Sequence, residues 1–281
     1  MPRDLVHAAR YFEASASGGH LIGALNTGIF YEEGQGVTRD LGRAIDWLRV
    51  ASDGGVPQAQ ARLGRLLAGG AAGFQDETSA RDWLERAAQQ DSVDAQVMLA
   101  QMLLDKGDPA DAQRATGILV GLAKQDHFIG AKLILIYQHR LTDGAASVPI
   151  AIEALERSAE RGHVEGMVAL GIELMSGENS ERDALRAERM FRQASALGSV
   201  EALFQLGVVY CQRNQQPEDI ATGLQFYMEA ANACHPLAQY NAGVMLLNGV
   251  GTAADPEMAY ALFENAAAQG LQQARALKDR L

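Results

Sequence analysis

One residue in every 36 constrains this chain more than any other feature. The glycine of Thr27-Gly28, Leu63-Gly64, Leu170-Gly171, Leu206-Gly207 and Ala242-Gly243 keeps a phase that also falls on Ala100 and Ile136, with steps of 36, 36, 36, 35, 36 and 36 residues. A small residue sits five positions before each: Gly23, Ala59, Ala95, Ala131, Gly166, Ala202 and Ala238. A second anchor runs Ala44, Ala80, Ala115, Ala151, Ala187, Gly223 and Ala259, and a third Gly55, Asp91, Asp126, Gly162, Gly198, Cys234 and Gly270. Self-similarity at a fixed period of this length marks a stack of supersecondary units.

Within a unit the apolar spacing is helical. Leu206, Gly207 and Tyr210 share one helix face, as do Ala259, Leu262, Phe263 and Ala266. Each unit reads as helix A, a loop, helix B and a turn, with small residues letting the helix axes approach closely. In Gly34–Asp40 and Gly249–Asp255 the glycines permit positive φ and the aspartate can cap helix B. His7–Gly19 fits a helix B alone, and Leu271–Leu281 a polar helix A that shields the last apolar face. The predicted fold is all-α: an α-solenoid, a right-handed superhelix of stacked antiparallel helix pairs, in a single array without an internal boundary. Its parts are a half-repeat at 1–19, seven repeats at 20–55, 56–91, 92–126, 127–162, 163–198, 199–234 and 235–270, and a capping helix at 271–281.

The motif Ala-x-x-x-Leu-Gly-x-x-Tyr-x-x-Gly-x-Gly-Val-x-x-Asp-x-x-x-Ala-x-x-Trp-x-x-x-Ala-x-x-x-Gly resembles the Sel-one-like repeat, a branch of the tetratricopeptide superfamily. Gly28 to Gly55 carries Tyr31, Gly34, Gly36, Val37, Asp40, Ala44, Trp47 and Ala51 of it, and Gly243 to Gly270 matches nearly as well. Units three and four depart most, with Ala100 and Ile136 for glycine and His139 for the tyrosine. The resemblance implies protein–protein interaction, often as a bacterial scaffold or regulator, rather than catalysis.

Composition and charge narrow the partners. The net charge of −11 lacks the basic face that nucleic acid or an anionic membrane demands. No apolar run reaches the roughly 18 residues of a membrane span. The start, Met1-Pro2-Arg3-Asp4-Leu5-Val6-His7, lacks the apolar core of a secretion signal, so a cytoplasmic location is expected, periplasmic if a leader has been removed. Cys211 and Cys234 are expected as reduced, packed thiols. His20, His127, His163 and His235 share a phase in the turn closing helix B and are expected to pack or cap there rather than bind metal. No nucleophile elbow, phosphate loop or dinucleotide fingerprint occurs, so no enzyme activity, cofactor or metal is expected.

The binding surface is expected on a concave face lined by helix A, at positions −6, −3, +1 and +4 from the repeat glycine, with −1, 0 and +3 turned to the core. That rule selects Arg65, Gln101, Tyr137, Arg140, Ile172, Phe204, Val208, Tyr240 and Val244 as partner-binding residues. Phe204, Tyr240 and Tyr137 would be aromatic anchors, while Arg65, Gln101 and Arg140 would hold a carboxylate or backbone. The competing reading packs the apolar members against the next repeat. Glu32 and Glu33 are expected as a solvated helix end, and Glu178-Asn179-Ser180-Glu181 as a solvated loop. The partner would be an amphipathic helix or extended segment of a protein, the chain itself a monomer or weak homodimer. The alternative role is an immunity- or chaperone-like binder that neutralises one enzyme or effector.

Overall fold

The computed structural model describes residues 4–69, 73–105, 107–179, 182–213 and 216–279. Among them are sixteen α-helices and no strand. α1 (Leu5–Ser17) is the leading helix B. The A and B helices of the seven repeats are α2 (Leu21–Glu33) and α3 (Leu41–Asp53), α4 (Pro57–Ala68) and α5 (Glu77–Ala88), α6 (Val93–Asp105) and α7 (Pro109–Lys124), and α8 (Phe128–Tyr137) and α9 (Gly144–Glu160). They continue as α10 (Val164–Ser176) and α11 (Ala184–Ala196), α12 (Val200–Gln212) and α13 (Pro217–Asn232), and α14 (Pro236–Asn248) and α15 (Pro256–Ala268). α16 (Gln272–Lys278) is the closing helix A; Arg280 and Leu281 of the expected cap lie outside the described residues.

Contacts group the chain into two compact units, Met1–Gln125 with Ile136–Ser147, and Asp126–Leu135 with Val148–Leu281. In the first unit α2 packs on α3, α4 on α5 and α6 on α7, while α1, α3 and α5 also pack on the A helix that follows each. The second unit repeats this with α10 on α11, α12 on α13, α14 on α15 and α15 on α16. Each unit is thus an all-α stack of helical hairpins, the solenoid architecture that the repeat predicts. Adjacent A helices also touch, α4 with α6 and α10 with α12.

The small residues have the steric role that their phase implies. A Cβ on Gly28 or Gly64 would lie 2.7 Å from Cγ of Leu48 or Leu84, and one on Gly243 would lie 2.7 Å from Cε1 of Phe263. Helix A therefore receives a large helix B side chain in the space that glycine leaves. The alanines of the second anchor are fully buried, at 0% exposure. Asp40, Asp76, Asp183 and Asp255 accept the backbone N–H three residues on at 3.0, 3.0, 2.8 and 2.9 Å, capping their B helices.

The third anchor is a conformational slot. Gly55, Gly162, Gly198 and Gly270 have φ of 86°, 83°, 91° and 93°. Asp91, Asp126 and Cys234 take the same left-handed turn at 60°, 63° and 63° without glycine's freedom. Cys234 is accordingly exposed on its turn, not packed as expected; Cys211 is half-buried, its sulfur 4.0 Å from that of Met245.

Two expectations about the core are corrected. Position −3 belongs to it in four repeats, where Leu25, Ala61, Leu133 and Val168 are buried, while Val97, Phe204 and Tyr240 are half-buried. Helix A is flanked by B helices of two repeats and, in places, by another A helix, so a wider stripe is covered than one partner would bury. Ile136, in the glycine phase, is 57% exposed instead of core. A β-branched side chain cannot occupy a slot in which a single added methyl already collides, and around it the buried set becomes Gly130, Ala131, Leu133 and Ile134.

Candidate functional site

In the first unit the expected cationic positions are already engaged. Glu32, at +4 of the first repeat, is 8% exposed rather than solvated. Its carboxylate accepts from Nε of Arg62 and from the Arg65 guanidinium, both at 2.6 Å, while Arg62 also reaches Glu33 at 2.6 Å. A carboxylate withdrawn from water is retained only with such partners. Arg65, Met98, Gln101 and Met102 line a hollow of about 390 Å³ floored by Leu84. Arg140 donates to the Leu104 carbonyl, lies 3.7 Å from Asp105 and sits 5.9 Å from the centre of the half-buried Tyr137 ring.

In the second unit the aromatic positions are half in the core. Phe204 stacks on the His235 imidazole at 4.7 Å and tilts against Tyr227 at 5.7 Å. Tyr240 leans on Phe263 at 6.0 Å, and Val208 and Val244 are partly buried against the same cluster. Ile172 differs: it is 40% exposed. It opens on a hollow of about 590 Å³ whose wall includes Phe128, Val164, Val168 and Leu197, with Lys132, Glu165 and Glu201 among the polar lining.

His235 ties this region together. Its Nδ1 accepts the Ala238 N–H at 3.1 Å, capping α14, so the ring proton sits on Nε2 and is directed at Glu201 Oε2, 3.1 Å away. The expected capping role holds for this histidine; His20 and His163 stand at the same helix starts without a side-chain cap bond.

Several polar devices escaped the sequence reading. Gln60 and Gln239, both buried, donate to the Ser52 and Ala231 carbonyls at 3.0 and 3.2 Å. Each then accepts from a glutamine 30 residues later, Gln90 or Gln269, at 2.8 and 2.9 Å. Two glutamine pairs at equal spacing and equal phase were the available signal. Arginine–carboxylate pairs cross between neighbouring repeats in the same manner: Arg81 with Asp111 at 2.7 Å, Arg114 with Glu85 at 2.8 Å, Arg157 with Asp126 at 2.6 Å and Arg186 with Glu156 at 2.9 Å. Burial pushes the Glu188 carboxyl up, but hydrogen bonds from Tyr210, Arg192 and Arg213 outweigh it and hold the group below the usual carboxylate range. Asn179, expected in a solvated loop, donates its backbone N–H to buried Glu173 at 2.9 Å; Ser180 and Glu181 lie outside the described residues.

Among the described residues no cluster of three or more His, Cys, Asp or Glu is placed to hold a metal, and no helix is long and apolar enough to cross a membrane.

The Sel1 repeat model matches residues 1–20, 22–56, 57–92, 93–116, 164–199, 200–233 and 236–271. The chain belongs to the Sel1 repeat family. The unmatched stretch, 117–163, contains the divergent fourth repeat. A Sel1 repeat protein from Oxalobacter formigenes superposes with a TM-score of 0.66 at 24% identity, covering 98% of this chain and 80% of that one. Yeast Tom70 gives 0.65 at 17% identity, covering 98% of this chain and 58% of its own. At those identities the likeness concerns the fold. No curated protein matches the chain. Sel1 and related helical repeats generally mediate protein–protein interaction and are generally non-catalytic.

Proposed function

We propose that the chain is a non-catalytic scaffold or regulator that holds a segment of a partner protein along the faces of its A helices. The observation that carries this reading is the hollow beside Ile172. Ile172 stays 40% exposed beside Val168 and Leu197 in a space of about 590 Å³. Such a space admits one or two bulky side chains, and exposed apolar hollows with polar rims are where partners dock. Ile172, Gln101 and Arg65 are the members of the expected set that line open space, whereas Phe204, Val208, Tyr240 and Val244 pack on the Tyr227–Phe263 cluster.

The test is affinity capture followed by mass spectrometry with the intact chain and its Ile172→Asp variant. A buried charge at the centre of an interface costs 2 kcal/mol or more, so the specifically captured protein should weaken by at least about thirtyfold while far-UV circular dichroism stays unchanged. Equal recovery of the same protein by both chains would refute the site.

A further inference from the structure

The charges around the Ile172 hollow indicate what sort of segment fits it, an inference that rests on the reading just proposed. Several carboxylates between neighbouring helices of this protein are matched by arginine. Glu32 has Arg62 and Arg65, Glu85 has Arg81 and Arg114, Asp126 has Arg157 and Arg161, Glu156 has Arg186, and Glu188 has Arg192 and Arg213. Glu165 and Glu201, at −6 in successive A helices, have no such arginine. Glu201 meets the His235 ring at 3.1 Å on one oxygen and the Gln205 amide at 2.8 Å on the other. Among the described residues no lysine or arginine comes within ion-pair distance of either glutamate. Lys132 lines the same hollow from α8, so one ammonium stands against two carboxylates and the rim stays negative.

We propose that the hollow takes a cationic, apolar peptide segment: a leucine- or phenylalanine-like side chain on the Val168–Ile172 floor, with an arginine or lysine on each flank answering Glu165 and Glu201. The two glutamates stand one repeat apart on α10 and α12, with the apolar wall between them. Arginine suits them because its planar fork can make two hydrogen bonds to one carboxylate, supplying the charge-assisted contact that this protein uses at its other inter-helix acids. The acidic rim also speeds encounter with a cationic partner and rejects an acidic one.

The probe is a fluorescein-labelled twelve-residue peptide of alternating leucine and arginine, with two controls that replace arginine by glutamate or leucine by serine. Anisotropy titration of the full chain should show binding of the first peptide and at least tenfold weaker binding of both controls. Glu165→Gln/Glu201→Gln retains the acceptor for His235 and should weaken the first peptide about tenfold, as should Ile172→Ser. Glu264→Gln, on the exposed side of α15, should leave it unchanged and so separates the hollow from general attraction to an acidic protein. An unaltered affinity in the double glutamine variant, or an equal loss in Glu264→Gln, overturns the proposal. If Ile172→Ser weakens the serine-free peptides of either charge while the double variant does not, the cationic assignment falls and the docking surface stands. If Ile172→Ser changes nothing, both fall.

Discussion

Gly243 offers the sharpest measure of how tightly the hairpins close. Its replacement by alanine places a methyl 2.7 Å from Cε1 of Phe263 and 3.1 Å from Cδ1 of the same ring, which is fully buried and has nowhere to retreat. Overpacking of this kind costs about 1–3 kcal/mol, against which alanine's better helix propensity returns about 1 kcal/mol. A net loss of roughly 1 kcal/mol follows from these two terms. Gly117 supplies the internal control. It also lies within a helix, α7, but an added Cβ there meets nothing within 4 Å, so Gly117→Ala should keep the propensity gain and stabilise by up to about 1 kcal/mol. Subtracting one variant from the other cancels propensity and leaves the steric term alone, about 2 kcal/mol, or about 1 M in urea midpoint at a slope near 2 kcal/mol/M. Urea titration followed by circular dichroism measures the shift, and hydrogen exchange of α14 and α15 amides locates it. Phe263→Leu in the Gly243→Ala background should recover part of the loss, a coupling of at least 0.5 kcal/mol. Equal shifts of both alanine variants in one direction would refute the idea that glycine is held here by the neighbouring ring.

Cys234→Gly should stabilise the chain by about 1 kcal/mol, because an L-residue at φ 63° occupies a slot where its repeat mates use glycine; a fall in the unfolding midpoint would contradict this. Tyr227 bears on alkaline stability. Burial raises its phenol to about 12, with Cys211 adding to the shift. The native state therefore holds that proton where the unfolded chain, titrating near 10, has released it. Stability is full below pH 10 and falls by about 1.4 kcal/mol per unit between pH 10 and 12, a slope that Tyr227→Phe should remove when unfolding is measured across that range.

The repeat, the closely packed alanines, the aspartate caps and the left-handed turns were all legible in the chain, because each is set by a residue and its neighbours within one hairpin. What lay beyond reach depends on how one hairpin meets the next. The burial of Glu32 follows from Arg62 and Arg65, which lie on another repeat. The core position of Val168, three before a glycine, follows from α12 closing over α10, and a 36-residue period is silent about that rotation. Ile136 misled for a different reason: the phase continued through it although the residue could not do glycine's work, and the helix turned its neighbours inward instead. Of the proposed docking surface, Ile172 was visible in the chain as the +1 member of the groove set. The charge left on Glu165 and Glu201 became readable only once the carboxylates that do cross between repeats had been given their arginines.

The crossed pairs at the third repeat bear on assembly. Arg81 and Glu85 lie on one side of the turn at Asp91, and their partners Asp111 and Arg114 on the other, in reversed sign. A chain nicked at that turn would end in two faces that recognise each other by the order of their charges as well as by shape. That junction is thus guarded against slippage or exchange by a two-letter code, plus–minus answered by minus–plus, which sums to zero and leaves no trace in the net charge.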